Sequence, residues 1–210
     1  MKYFNSLPYL ANEDSGGDYY YLKNILIRTK LVSELSRNTM LFYKYSIQDS
    51  DTPESIAYKY YGDQYRYWLI FIANEIMDPQ WDWPLTNQQF DFYIKDKYAT
   101  DAGGENNVLS YTLGTVHHYE KTITTYDSDT QTTSIKTVVV DQEQYNLIQT
   151  ESTTKTFANT NSSVTYTIGK NAISIYDYEN DLNESKREIN LINKLYISDV
   201  ESQYELLVKQ

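Results

Sequence analysis

The stretch Asp51-Thr52-Pro53-Glu54-Ser55-Ile56-Ala57-Tyr58-Lys59-Tyr60-Tyr61-Gly62, followed closely by Tyr67-Trp68-Leu69-Ile70-Phe71-Ile72-Ala73, decides the fold. Pro53 stands where a first helical turn tolerates proline, since the N–H it lacks would be unpaired there anyway, and Asp51 or Thr52 can cap that turn. Glu54 suits the positive end of the helix, Ile56, Ala57 and Tyr60 form its apolar stripe, and Gly62 supplies a left-handed stop. The second helix, expected over about residues 64–74, is apolar around nearly its whole circumference. A core built from roughly 60 residues can cover only one side of such a helix, so the other side is expected to face another domain or another chain.

Before this pair, Leu41 to Ile47 alternates as a strand does and runs into the polar turn Gln48 to Thr52. After it come the aromatic loop Met77 to Pro84 and then Thr86 or Asn87, either of which can cap a helix reaching Tyr98 with Phe90 and Ile94 turned inward. From Asp101 the composition shifts: Gly103 to Asn107 reads as a linker, and the next 60 or so residues are Thr-rich and β-branched, which predicts sheet. Thr115–Tyr126 and Thr132–Val140 form a hairpin on this reading, and Val164–Ile168 pairs with Ala172–Tyr176 across Gly169-Lys170-Asn171. Ser152 to Ser163 reads as a loop or a Thr-rich strand. In the tail, Ile189 and Leu191 alternate like a strand, and Ser198 or Asp199 can cap a closing helix bearing Val200, Tyr204 and Leu207.

The expected architecture is therefore α+β in four parts. Residues 1–38 are an extended arm that gains order by lying on something else, 39–98 a two-helix module with a following helix, 99–175 a β-rich middle region with antiparallel strands, and 176–210 a C-terminal segment ending in an amphipathic helix.

Composition restricts the function. A formal charge of -11 repels phosphate backbones and anionic headgroups, so neither nucleic acid nor membrane is expected as a partner. With no cysteine there is no thiolate chemistry and no disulfide, and no apolar run approaches transmembrane length. Phosphate-binding loops, dinucleotide fingerprints, nucleophile elbows and zinc-protease motifs are all missing, so an enzyme with a cofactor or metal is not the expected reading. His117 and His118 are neighbours on an expected strand, which would put them on opposite faces. Asp78 and Asp82 beside Trp81 and Trp83 form a weak candidate carboxylate pair, and the two indoles suit sugar stacking or a protein interface. The 23 tyrosines point the same way as the indoles, since tyrosine adds rigid contact area at low entropic cost.

Two resemblances follow from these residues. The order strand, Asp51-Thr-Pro-Glu-Ser-Ile-Ala57, Tyr61-Gly62, second helix and Trp83-Pro-Leu-Thr86 resembles a LysM module, which implies a βααβ fold and glycan binding. Ser50 stands where such modules carry glycine, and the loop before the final strand is long and aromatic. Tyr61-Gly62-Asp63, Tyr67-Trp68, Asn74 and the Trp81/Trp83 loop look more like the wedge protein of contractile-phage baseplates known as gene product fifty-three. Tyr176-Asp177-Tyr178-Glu179 followed by Asn183-Glu184-x-Lys186-Arg187-x-Ile189 is similar to that family's C-terminal signature.

This second resemblance implies a structural virion protein of the tail baseplate, assembled in the host cytoplasm. Its implied partners are the core-bundle subunits and a sheath-initiator-like subunit of the wedge, together with neighbouring wedges in a sixfold assembly. It also implies a protein-interface set, for which we select Tyr61, Tyr65, Tyr67, Trp68, Trp81, Trp83, Tyr178, Lys186 and Arg187. The competing expectation is a peptidoglycan-binding LysM-type module.

Overall fold

The computed structural model describes residues 3–25, 27, 39–157 and 162–208. In chain order the elements are α1 (Tyr3–Ser6), β1 (Tyr9–Glu13), β2 (Tyr19–Lys23), β3 (Phe42–Ser46), α2 (Pro53–Tyr61), α3 (Tyr67–Ala73), α4 (Pro79–Asp82), α5 (Asn87–Tyr98) and α6 (Val108–Gly114). They continue with β4 (Val116–Asp127), β5 (Thr132–Val140), α7 (Gln142–Leu147), β6 (Glu151–Phe157), β7 (Ser162–Ser174), α8 (Ile175–Ser185), β8 (Glu188–Ile192) and α9 (Ile197–Val208). The fold is α+β, as the sequence implies. It forms two compact units, one of residues 1–87 with 183–210 and the other of residues 88–182.

The first unit is closed by its own C-terminal segment. β3 pairs antiparallel with β8, Phe42 opposite Ile192 and Ser46 opposite Glu188, so two strands about 145 residues apart in sequence make one ribbon. The final strand that the LysM-like βααβ order implies is not found about Trp83-Pro-Leu-Thr86, which joins the short helix α4 to the expected helix α5; the tail supplies the partner of β3 instead. Local signals in α2 behave as expected. The Thr52 hydroxyl accepts from the N–H of Ser55, the Ser55 hydroxyl accepts from the N–H of Thr52, and Gly62 takes φ 74°, a left-handed value that penalises other residues.

Trp68, Leu69 and Ile70 of α3 are at most 2% exposed, and they pack with Leu41, Ile56, Leu191, Ile192 and Tyr204 in one core. Full burial of one such aliphatic side chain stabilises by about 1.5–3 kcal/mol. The second helix is shorter than expected, because Gln64–Arg66 is a 3-10 turn capped by the Asp63 carboxylate before α3 begins.

The N-terminal residues differ from the extended arm expected of them. α1 places Tyr3 5.7 Å from Trp68 and 5.3 Å from Tyr204, and Leu7 is buried. β1 and β2 form a hairpin that exposes Tyr9, Leu10, Tyr19, Tyr20, Tyr21 and Leu22. The rest of the expected arm, residues 28–38, lies outside the described residues.

In the second unit Phe90, Ile94, Val108 and Ile175 are buried on three helices, beside a four-stranded antiparallel sheet of order β5-β4-β7-β6. The β4–β5 hairpin falls close to its expected bounds. The hairpin expected across Gly169-Lys170-Asn171 is corrected: β7 is one continuous strand through those residues, paired with β4 on one side and β6 on the other. Gly169 marks a close approach rather than a turn, since a Cβ there would meet the Thr122 hydroxyl at 2.7 Å. Three helices of this unit went unforeseen, among them α8, which begins where the expected strand Ala172–Tyr176 ends. α6 falls where sheet composition dominates a short Val-Leu-Ser-Tyr run, and α7 is a six-residue turn capped by the Asp141 side chain.

Candidate functional site

The apolar circumference of α3 has a structural outcome within the first unit. One side fills the core. The other opens onto a groove of about 940 Å³ lined by α3, by Trp83, by Tyr3 and Phe4 of the N-terminus and by Ile76 and Met77 after the helix, with Glu54 at the start of α2 also on its wall. α3 presents Tyr67, Phe71 and Ile72 there, half-buried, with the Tyr67 and Phe71 rings edge to face at 5.5 Å. Trp68 lines the groove from beneath while its indole lies 4.7 Å from Tyr204.

The expected interface residues divide among several environments. Tyr67, Trp68 and Trp83 meet at the groove. Tyr61 is instead a core residue, whose hydroxyl accepts from the backbone N–H of Ile192 at 2.9 Å; burial pushes its phenol well above the ordinary tyrosine range. Tyr65 is exposed in the 3-10 turn, and Trp81 is 62% exposed on α4.

Lys186 and Arg187 work inside the unit. Lys186 donates to the Trp81 carbonyl at 2.7 Å, while Arg187 reaches Glu184, Asp49 and the carbonyls of Ile47 and Leu85. They tie the tail to the turn before α2 and to the loop after α4. Tyr178 belongs to the second unit, where its ring stacks on His117 at 3.8 Å.

Sequence reasoning missed Tyr3, Phe4, Phe71, Ile76 and Met77 as groove residues. Only the unbroken apolar run of α3 gave any sign of Phe71, and the others arrive through tertiary packing.

Three polar constellations give the chemistry of the rest. Asp51 receives Tyr45 Oη and Lys59 Nζ, each at 2.6 Å, and the Gln48 N–H at 3.0 Å. Burial pushes the Asp51 carboxyl up, but the hydrogen bonds outweigh it and hold the group below the usual carboxylate range; the Tyr45 phenol, bonded to that carboxylate, is pushed up to about 12.

Glu179 in the second unit is the counterpart, accepting from Lys97 at 2.7 Å, Tyr98 at 2.7 Å and Tyr93 at 3.1 Å. Burial again opposes ionisation and the three donors prevail. Both carboxylates are anchors of the fold, with every donor around them supplied by the chain itself.

Asp78 and Asp82 shape the aromatic loop. Asp82 accepts from the N–H groups of Met77 and Asp78, and Asp78 from that of Gln80. The bonds from the backbone at Asp78 and Met77 hold the Asp82 carboxyl below its ordinary range, the reverse of the shift a general acid needs.

The two histidines correct a simple strand reading. A register shift between Val116 and His118 breaks the alternation, and the His117 and His118 rings approach with Nδ1 atoms 2.9 Å apart. Among the described residues, no group of three or more His, Asp or Glu side chains is placed to hold a metal ion. No helix among them is long and apolar enough to cross a membrane.

Compared with models of known families, residues 22–209 match the model described as base plate wedge protein 53. The matched span encloses the Thr-rich middle, which carries none of the motifs quoted above. No curated protein matches the chain.

Proposed function

Because the chain belongs to the base plate wedge protein 53 family, and is thus a structural component of a phage tail baseplate, we propose that it acts as a clamp on the wedge core. On this reading the groove beside α3 receives an apolar helical ridge of the core bundle built by other wedge subunits. Further contacts reach a sheath-initiator-like subunit and the neighbouring wedge, so that six copies close the ring.

The observation that carries the reading is α3 itself. A seven-residue helix whose Trp68, Leu69 and Ile70 fill the core still offers Tyr67, Phe71 and Ile72 to a groove of about 940 Å³. Apolar grooves of this kind take the i, i+3/i+4, i+7 face of a partner helix. Tyrosine and tryptophan at such a centre are the residue types that dominate interface energetics.

Sedimentation velocity on the remaining wedge proteins, with and without this chain, tests the clamp. Addition of the chain should convert wedges into rings, and Phe71→Glu should abolish that conversion while leaving the tryptophan fluorescence of the chain unchanged. Ring formation that needs no added chain, or that proceeds equally with the variant, would rule out the clamp at this groove.

The exposure of Trp81 favours one alternative, glycan stacking on the aromatic loop. Binding to isolated peptidoglycan sacculi that Trp81→Ala abolishes would support it against the clamp.

A further inference from the structure

The four-stranded sheet of the second unit has two unlike faces, and the register assigns every side chain to one of them. On one face stand Tyr119, Ile123, Val138, Tyr166, Ile168 and Phe157, and with them Lys121, Lys136, Lys155 and Lys170, against two carboxylates, Asp127 and Glu151. These four are all the lysines between residues 99 and 175. On the other face stand mainly Thr and Ser, among them Thr122, Thr124, Thr137, Thr154, Thr165 and Thr167, with Ile135 and Val139. Alternation in a strand makes such a division possible, but placing four lysines on one face of four strands requires all three pairings to be in this register.

Within the second unit both faces are largely open. No residue of β4, β5 or β6 is buried, although a sheet is ordinarily stabilised by packing one face against another layer. The corner at Tyr119 and Lys170 is occupied by Tyr145 of α7, whose ring centroid lies 4.6 Å from that of Tyr119 and 4.8 Å from Lys170 Nζ.

Where the chain itself accommodates these lysines, it does so with carbonyl and ring groups rather than with carboxylates. Lys121 and Lys170 are direct cross-strand neighbours, an arrangement in which like charges destabilise a sheet. Lys170 turns to the Tyr145 carbonyl at 3.2 Å, and Lys155 lies 5.8 Å from the Tyr166 ring centre. Among the described residues none of the four pairs with a carboxylate, in a chain with 29 acidic residues to choose from.

We propose that this apolar, lysine-bearing face of the sheet is a docking surface for another protein of the baseplate, one that presents carboxylates among apolar side chains. The inference rests on the baseplate reading above, but not on the groove. Charge complementarity selects the partner: the apolar floor requires apolar cover, and the four ammonium groups standing on it outnumber the carboxylates of Asp127 and Glu151 on the same face, which leaves an excess of positive charge for a partner's anions. At physiological ionic strength the screening length is about 8 Å, so a docked surface responds to these lysines more than to the negative charge of the chain as a whole. A nucleic acid is the weaker match, because residues 116–174 carry six carboxylates against the four lysines and a flexible polyanion would meet both.

Purified virions provide the test. Peptides of this chain in the virion establish the baseplate reading; the state of the lysines then tests the inference separately. Carbodiimide treatment, which joins amines only to carboxylates in contact, should cross-link Lys121, Lys136, Lys155 or Lys170 to Asp or Glu of a different protein. The same lysines should lose their acetylation by an amine-reactive ester in virions relative to the isolated chain. Lys136→Glu with Lys155→Glu, both at exposed positions, should block incorporation into particles without altering the circular dichroism of the free chain, and the Arg pair should restore it. Full acetylation in intact virions would overturn the proposal. Cross-links to a second copy of this chain alone, or protection with no carboxylate cross-link, would overturn the choice of partner.

Discussion

Replacing Asn74 with Ala should destabilise the first unit by about 2–4 kcal/mol. The side chain spans two elements: its Nδ2 donates to the carbonyls of Ile70 and Asn190, both at 2.8 Å, and its Oδ1 accepts from the N–H of Asn190 at 2.7 Å. One half-buried amide thus closes the end of α3 and pairs with both backbone groups of a residue on β8. A hydrogen bond contributes about 1 kcal/mol net, and each half-buried group left without a partner costs about 1–3 kcal/mol, with water recovering part of it.

Asn74→Asp separates the contributions. It keeps the acceptor for Asn190 N–H but turns a carboxylate oxygen toward two carbonyls, so it should be no more stable than the Ala variant. All three tryptophans, Trp68, Trp81 and Trp83, lie in the first unit, and their fluorescence during urea unfolding reports that unit alone. With an m-value near 1.5 kcal/mol/M, the midpoint should fall by roughly 2 M at an unchanged slope. A shift below about 0.5 M for Asn74→Ala, or an Asp variant as stable as the parent, would refute the role given to this amide.

Two further outcomes concern the carboxylate anchors and the sheet. The folded-state pKa of Asp51 is depressed below its ordinary 3.8, so the stabilisation it provides is complete above that value and is lost as pH falls through the lower, folded value. Urea midpoints measured from pH 6 down to pH 2.5 should therefore decline for the parent, and decline less steeply for Asp51→Asn, which is already weakened at pH 6. Gly169→Ala places a Cβ 2.7 Å from the Thr122 hydroxyl, and the stiff χ1 of threonine limits its escape; far-UV circular dichroism should show a loss of about 1–2 kcal/mol that Thr122→Ala in the same chain largely restores.

Much of this protein was legible in its sequence wherever the cause is local. A cap residue, a proline at the first turn and a glycine at the stop interact with atoms only a few residues away, so α2 could be read from Thr52, Pro53 and Gly62 alone. The apolar circumference of α3 announced a helix apolar on both sides, one of which fills the core while the other lines the groove. Alternation with a polar turn announced β4 and β5. The Tyr61-Gly62-Asp63 and Asn183 to Ile189 signatures carried the family, which the match over residues 22–209 now shows.

Tertiary structure decided what depends on distant partners. Nothing within β3 says that its neighbour is β8, since two five-residue strands of similar pattern can be matched in several ways, and only the shared core with α3 selects one. Nor could Tyr61 be told from a surface tyrosine, because its acceptor role depends on Ile192 arriving from the tail. The same holds for Gly169, a turn residue by its type and a strand residue because Thr122 lies opposite. The gathering of four lysines on one face is also a product of register, a property of paired strands that no single strand contains.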